Sequence, residues 1–94
     1  MAVLLGSIKI SKPRGSVISL DKARQIAYSW HGGQWSPLYS FASSYQYGKR
    51  FAWTSAIAEI DDTILSDKNL DLRSKKELKD LKKFLEYMRW EENN

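Results

Sequence analysis

Between residues 30 and 38 the chain reads Trp-His-Gly-Gly-Gln-Trp-Ser-Pro-Leu, and a single helix does not pass through such a stretch. Gly32-Gly33 offers a stop, because glycine takes the left-handed conformation that ends helices without a steric penalty. Ser36-Pro37 offers a start. Serine caps a helix, and proline fits the first helical position, where its missing N–H is no loss. Whatever lies on either side must turn a corner here. The same stretch contains the only histidine and two of the four tryptophans.

Helical spacing continues on both sides of the corner. Upstream, Leu20, Ala23, Ala27 and Trp30 recur at the helical period, with Ser19 placed to cap and Asp21 in the first turn, where the helix dipole favours an acid. The pattern predicts a helix over 19–31. Downstream, Leu38, Phe41, Ala42 and Tyr45 make one apolar face over 37–47, with Gly48 as the stop. A third helix over 52–65 carries Trp53, Ile57, Ile60 and Ile64 on one stripe, with Glu59, Asp61 and Asp62 off it. A polar loop follows, anchored by Leu70 and Leu72. Ser74 and Glu77 fit a capping box that starts a fourth helix over 75–90, whose stripe is Leu78, Leu81, Phe84, Leu85 and Met88. Lys75, Lys79, Lys82 and Arg89 gather opposite that stripe, flanked by Lys76 and Lys83, and the acidic end after residue 90 is expected to fray.

The segment before the first helix reads differently. Ile8 and Ile10 alternate with Lys9, Lys12-Pro13-Arg14-Gly15 is a turn signal, and Val17-Ile18 supplies a return strand. A short β-hairpin over 3–18 would need to lie on the helices, since two strands alone are marginal in water. The expected fold is thus mainly α: a compact four-helix single domain spanning 1–94 with a short N-terminal β-hairpin, α+β in class if the hairpin is counted.

Several chemistries are excluded by inventory. With no cysteine, disulfides, thiolate metal sites and cysteine nucleophiles are absent. One histidine cannot assemble a metal centre without carboxylates converging on it, so no metal and no cofactor is expected. Ser36, His31 and an aspartate could be drawn as a hydrolytic triad, but no spacing supports it, and the protein is expected to be non-catalytic. His31 is explained more simply as a helix-terminal residue that caps the last carbonyls. The Gly32-Gly33 pair lacks the spacing and lysine of a phosphate-binding loop, although the start of the second helix could attract an anion weakly. No apolar run approaches the roughly 20 residues of a spanning helix, and no signal peptide is evident, so a soluble cytoplasmic protein without membrane association is expected.

Charge is unevenly spread. Residues 1–50 hold seven basic residues against the single acid Asp21, a balance of +6, whereas residues 51–94 hold eight against ten acids, a balance of −2. A basic front half attracts phosphate or acidic protein surfaces. Lys49, Arg50, Lys22 and Arg24, with Tyr45, Tyr47, Phe51 and Trp53 nearby, could contact single-stranded nucleic acid by charge and stacking. Sequence-specific reading of a duplex is not expected, because the helix after the corner has no Lys or Arg between Pro37 and Tyr47. The plainer alternative makes Phe51 and Trp53 core and Lys49-Arg50 a solvated connection.

The run from Trp30 to Ser44 resembles one found in a group of short uncharacterised bacterial proteins, many of them carried by plasmids, phages or other mobile elements. The shared residues are His31-Gly32-Gly33-Gln34, Ser36, Leu38-Tyr39 and Ser43-Ser44, within about 15 of the 94 positions. Tyr45 departs from the small residue expected after the second serine. The resemblance implies an origin on a mobile element and brings no activity with it. For the corner itself, Gln34 is expected to hydrogen-bond the ends of both helices, and Trp35 to pack over the turn as a hydrophobic staple against Phe41 or Ser40. The first functional expectation is a protein-interaction module using His31, Gln34, Trp35, Ser36 and Tyr39. The alternative is a weak, sequence-independent nucleic-acid binder.

Overall fold

The computed structural model describes residues 11–44 and 53–93. Within them the chain forms four helices: α1 (Leu20–Trp30), α2 (Pro37–Ser44), α3 (Trp53–Ser66) and α4 (Leu72–Asn93). α1 packs on α2 and α4, and α3 packs on α2 and α4, so the two longest contacts run α1 to α2 and α3 to α4. The mainly helical expectation holds, and no strand occurs among the described residues. Ile8 and Ile10, which would form the first strand of the hairpin, lie outside those residues. The expected turn is present as a bend at Arg14-Gly15, with Gly15 at φ 76°. No described helix is long and apolar enough to cross a membrane.

Among the described residues fourteen buried apolar side chains make the core, and each of the four helices contributes. Ala23, Ile26 and Ala27 come from α1; Leu38, Phe41 and Ala42 from α2; Trp53, Ala56, Ile57 and Ile60 from α3; Leu78, Leu81, Phe84 and Leu85 from α4. Apart from Ile26 and Ala56, which the expected stripes did not include, these are residues that helical spacing picks out, and Leu20, Trp30, Ile64 and Met88 are partly buried against them. Phe41 is the junction of three helices. It is fully buried, and its ring lies 6.2 Å from Trp53 and 5.9 Å from Phe84, in the tilted and edge-on arrangements aromatic pairs prefer.

Two of the helix boundaries differ from those the sequence suggests. α1 begins as expected, with Lys22 donating its N–H to Ser19 Oγ at 3.2 Å. α4, however, starts at Leu72 rather than residue 75. Asp71 is its cap, accepting the Ser74 N–H at 2.7 Å, so Ser74 is a donor within the first turn and not itself the cap. Aspartate caps as well as serine and stands one turn earlier, which is enough to move the start. The Asp71 carboxyl is held below the usual carboxylate range, first by the Ser74 N–H and then by the Ser74 hydroxyl. Leu70 packs against the core, but Leu72 is 86% exposed and anchors nothing.

At its other end α4 continues to Asn93 instead of fraying. The indole N–H of Trp53 donates to Glu92 at 2.8 Å, and Asn93 donates to the Arg89 carbonyl at 2.8 Å. The basic side of α4 is also not wholly solvated. Lys82 pairs with Asp61 of α3 at 2.8 Å, and Arg89 Nη1 donates to Thr54 at 3.3 Å. The expected end of α2 at Tyr45–Tyr47 and the stop at Gly48 lie outside the described residues.

Candidate functional site: the corner between α1 and α2

α1 ends at Trp30 because His31 leaves the helical region, at φ −67° and ψ 148°. The stop is therefore made by His31 in an extended conformation and not by a left-handed glycine cap. Gly33 has the unusual backbone, at φ 150°, a region side chains rarely enter. The turn closes with the Ser36 N–H donating to the Gly33 carbonyl at 3.2 Å. α2 then starts as expected, with Ser36 Oγ accepting the Tyr39 N–H at 3.1 Å.

His31 does not cap the last carbonyls of α1. Its Nδ1 lies 3.1 Å from both the amide nitrogen and the carbonyl oxygen of Gly33. With the proton on Nε2 the ring accepts from the amide; with the proton on Nδ1 it donates to the carbonyl. Either tautomer ties the ring to the turn.

The residue that joins the two helix ends is Glu59 of α3. Its Oε2 accepts the Gly32 N–H at 2.8 Å and its Oε1 accepts the Leu38 N–H at 2.9 Å. One carboxylate thus satisfies an amide beyond the end of α1 and another in the first turn of α2, where the dipole also favours negative charge. Charge-assisted bonds of this length are stronger than neutral ones. A Cβ on Gly32 would stand 3.2 Å from Glu59 Oε2, so the glycine gives the carboxylate room to reach the backbone. Gln34, expected in this joining role, is exposed and makes no hydrogen bond among the described residues.

Around this clamp the aromatic rings gather on the surface. His31 and Tyr39 meet edge to face with centroids 5.1 Å apart, and Tyr28 lies 5.5 Å from His31 and 6.1 Å from Tyr39. Tyr28 is 60% exposed, so the cluster is an outer face and not an extension of the core. Trp35 is 89% exposed and touches no other ring among the described residues. It is not a hydrophobic staple: an indole left 89% exposed covers no neighbour, and Phe41 is fully buried with its ring against Trp53 and Phe84.

Of the five residues expected at the corner, His31 and Tyr39 thus belong to one ring cluster, Ser36 is a helix cap, and Gln34 and Trp35 project. Tyr28 and Glu59 complete the site and were not anticipated. Tyr28 sits one turn before His31, a spacing that could have signalled its presence. Glu59 is separated by 27 and 21 residues from the amides it clamps, and no local pattern links them.

The basic residues considered for nucleic acid divide differently. Lys22 is exposed. Arg24 is half-buried and donates through Nε to the Ala42 carbonyl at 2.9 Å, which binds α1 to α2 and takes that donor away from a phosphate. Lys49 and Arg50 lie outside the described residues. No group of three or more His, Cys, Asp or Glu side chains converges on a metal position among the described residues. Ser36 and His31 do not hydrogen-bond each other, each being committed to backbone of the turn. Compared with known protein families, with curated proteins and with solved structures, the chain matches none.

Proposed function

We propose that the protein is a non-catalytic protein-interaction module whose contact surface is the corner between α1 and α2. One observation supports this reading above the others: a tryptophan 89% exposed at the tip of a turn that five separate polar contacts hold in place. An exposed indole adds nothing to a core. Tryptophan and tyrosine are the side chains that most often supply binding energy when a partner covers them. Trp35 with Tyr28 and Tyr39 is a surface of that kind, and its rigid backbone lowers the entropy lost on association.

The test is affinity capture from the native host with the intact chain and with Trp35→Ala and Gln34→Ala, followed by a binding measurement on the captured partner. The corner predicts at least about a tenfold loss of affinity for Trp35→Ala at unchanged melting temperature. Undiminished binding by both variants would remove the corner from consideration. Oligonucleotide binding that falls steeply with salt and is indifferent to Trp35→Ala would instead favour the nucleic-acid reading.

A further inference from the structure

A concave site that includes none of the corner residues lies between the segment that leads into α1 and the C-terminal half of α4. It is a cleft of about 520 Å³ lined by Ser11, Lys12, Pro13, Arg14, Glu86 and Arg89. Its size falls within the roughly 300–1,000 Å³ typical of small-ligand sites. Three cations face one acid there, and Glu86 pairs with none of them: the ion pairs among the described residues are Lys76–Asp80 and Lys82–Asp61.

None of the three cations is neutralised by an ion pair among the described residues, and two of them are held in place. Lys12 Nζ lies 5.1 Å from the centre of the Trp90 ring and 5.9 Å from that of Tyr87. Ring faces position an ammonium without consuming its N–H donors. Arg14 is exposed and makes no hydrogen bond or ion pair among the described residues. Arg89 is fixed through Nη1 to Thr54 at 3.3 Å, while its Nε is covered and has no acceptor. Because that Nε is covered, what Arg89 brings to the cleft it lines is its charge and the uncovered part of a guanidinium, a group well suited to phosphate oxygens.

We propose that this cleft binds a phosphate group, with Arg89, Lys12 and Arg14 supplying the positive charge that holds it. The lining carries an excess of two positive charges. That matches a phosphate monoester, with about −1.5 to −2 near neutral pH, better than a single carboxylate. The proposal shares no residue with the corner and stands or falls independently of it.

The experiment is an amide-resonance titration of the full chain with inorganic phosphate and with adenosine monophosphate, using adenosine and acetate as controls. Binding should move the amide resonances of Ser11, Lys12, Arg14 and residues 86–89. It should weaken by about tenfold or more in Arg89→Gln and in Arg14→Gln, and should strengthen in Glu86→Gln, which removes the one acid. Arg14 is exposed, so its variant tests the site even if Arg89→Gln disturbs the fold. A single-stranded oligonucleotide separates the sources of the phosphate. Tighter binding than the mononucleotide, lost in the same variants, assigns a nucleic-acid backbone; binding no tighter assigns a free phosphorylated molecule. No shifts at these residues, equal affinity in Arg14→Gln, or adenosine or acetate binding as well as phosphate would overturn the proposal.

Discussion

Trp53 and Trp35 put one residue type to opposite uses. Trp53 opens α3 at 5% exposure, with its ring against Phe41 and its N–H on Glu92. Trp35 stands 89% exposed at the corner. Around Trp53, order comes from apolar area removed from water, to which α2, α3 and α4 all contribute. Around Trp35 the backbone is fixed by a carboxylate, a hydroxyl and an imidazole, and the large ring is left outside. A segment can therefore be rigid without being hydrophobic, and its aromatic residues are then free for contacts with other molecules.

The largest effect should come from the buried partner of the comparison. Trp53→Ala removes a core ring and the anchor of Glu92, and is expected to destabilise by about 3–5 kcal/mol in urea unfolding. A loss below about 1 kcal/mol would mean that the α3–α4 packing does not depend on this ring, and the contrast would fail at its stronger end. Next comes the clamp. Glu59→Ala leaves the Gly32 and Leu38 amides without their acceptor, and about 2 kcal/mol is expected from two bonds to a charged group partly replaced by water. Hydrogen exchange should quicken at those two amides while the Leu81 and Leu85 amides in the middle of α4 stay protected. Unchanged exchange at both would show that the corner is held by its neighbours rather than by Glu59.

The limits of sequence reading follow the same division. Helical periodicity reports which residues face inward, so the stripes of α3 and α4 and the cap at Ser36 were legible, as was the corner itself. Periodicity says nothing about a residue in a turn, so from sequence Trp35 reads equally as a staple over the corner and as a contact residue, and only the fold shows it projecting. It is equally silent on partners distant in sequence. Glu59 lies off the α3 stripe and reads as a solvated acid until the fold brings it to the end of α1. Asp71 was missed for a different reason. Two good caps lie three residues apart, and the local signal at Ser74 was complete without it.

That cap offers a smaller effect, with a pH dependence that separates it from the neutral cap at Ser36. The folded Asp71 carboxyl titrates below its ordinary value of 3.8, chiefly because of the Ser74 N–H. A depressed folded pKa stabilises the fold above the unfolded value and ceases to do so as pH falls through the folded one. Thermal unfolding followed downward from pH 5 should therefore show a decline that Asp71→Asn flattens. A Ser36→Ala variant should keep the decline, because a hydroxyl does not titrate there. Identical slopes in Asp71→Asn and the parent would place the acid sensitivity elsewhere.

The smallest effect on stability should belong to Trp35, and it decides the most. Substituting alanine for a ring that touches no other described ring should change unfolding by no more than about 0.5 kcal/mol in either direction. A large loss would mean that the indole packs in solution, as a staple would, and the corner would become a second piece of core. A negligible loss leaves no folding reason for a tryptophan at this position, where a small polar residue would serve the turn equally well. Stability and binding would then separate in one variant, since Trp35→Ala would fold like its parent while failing to hold a partner. Trp53→Ala, by contrast, would lose both together, because removing its ring weakens the scaffold on which the corner is built.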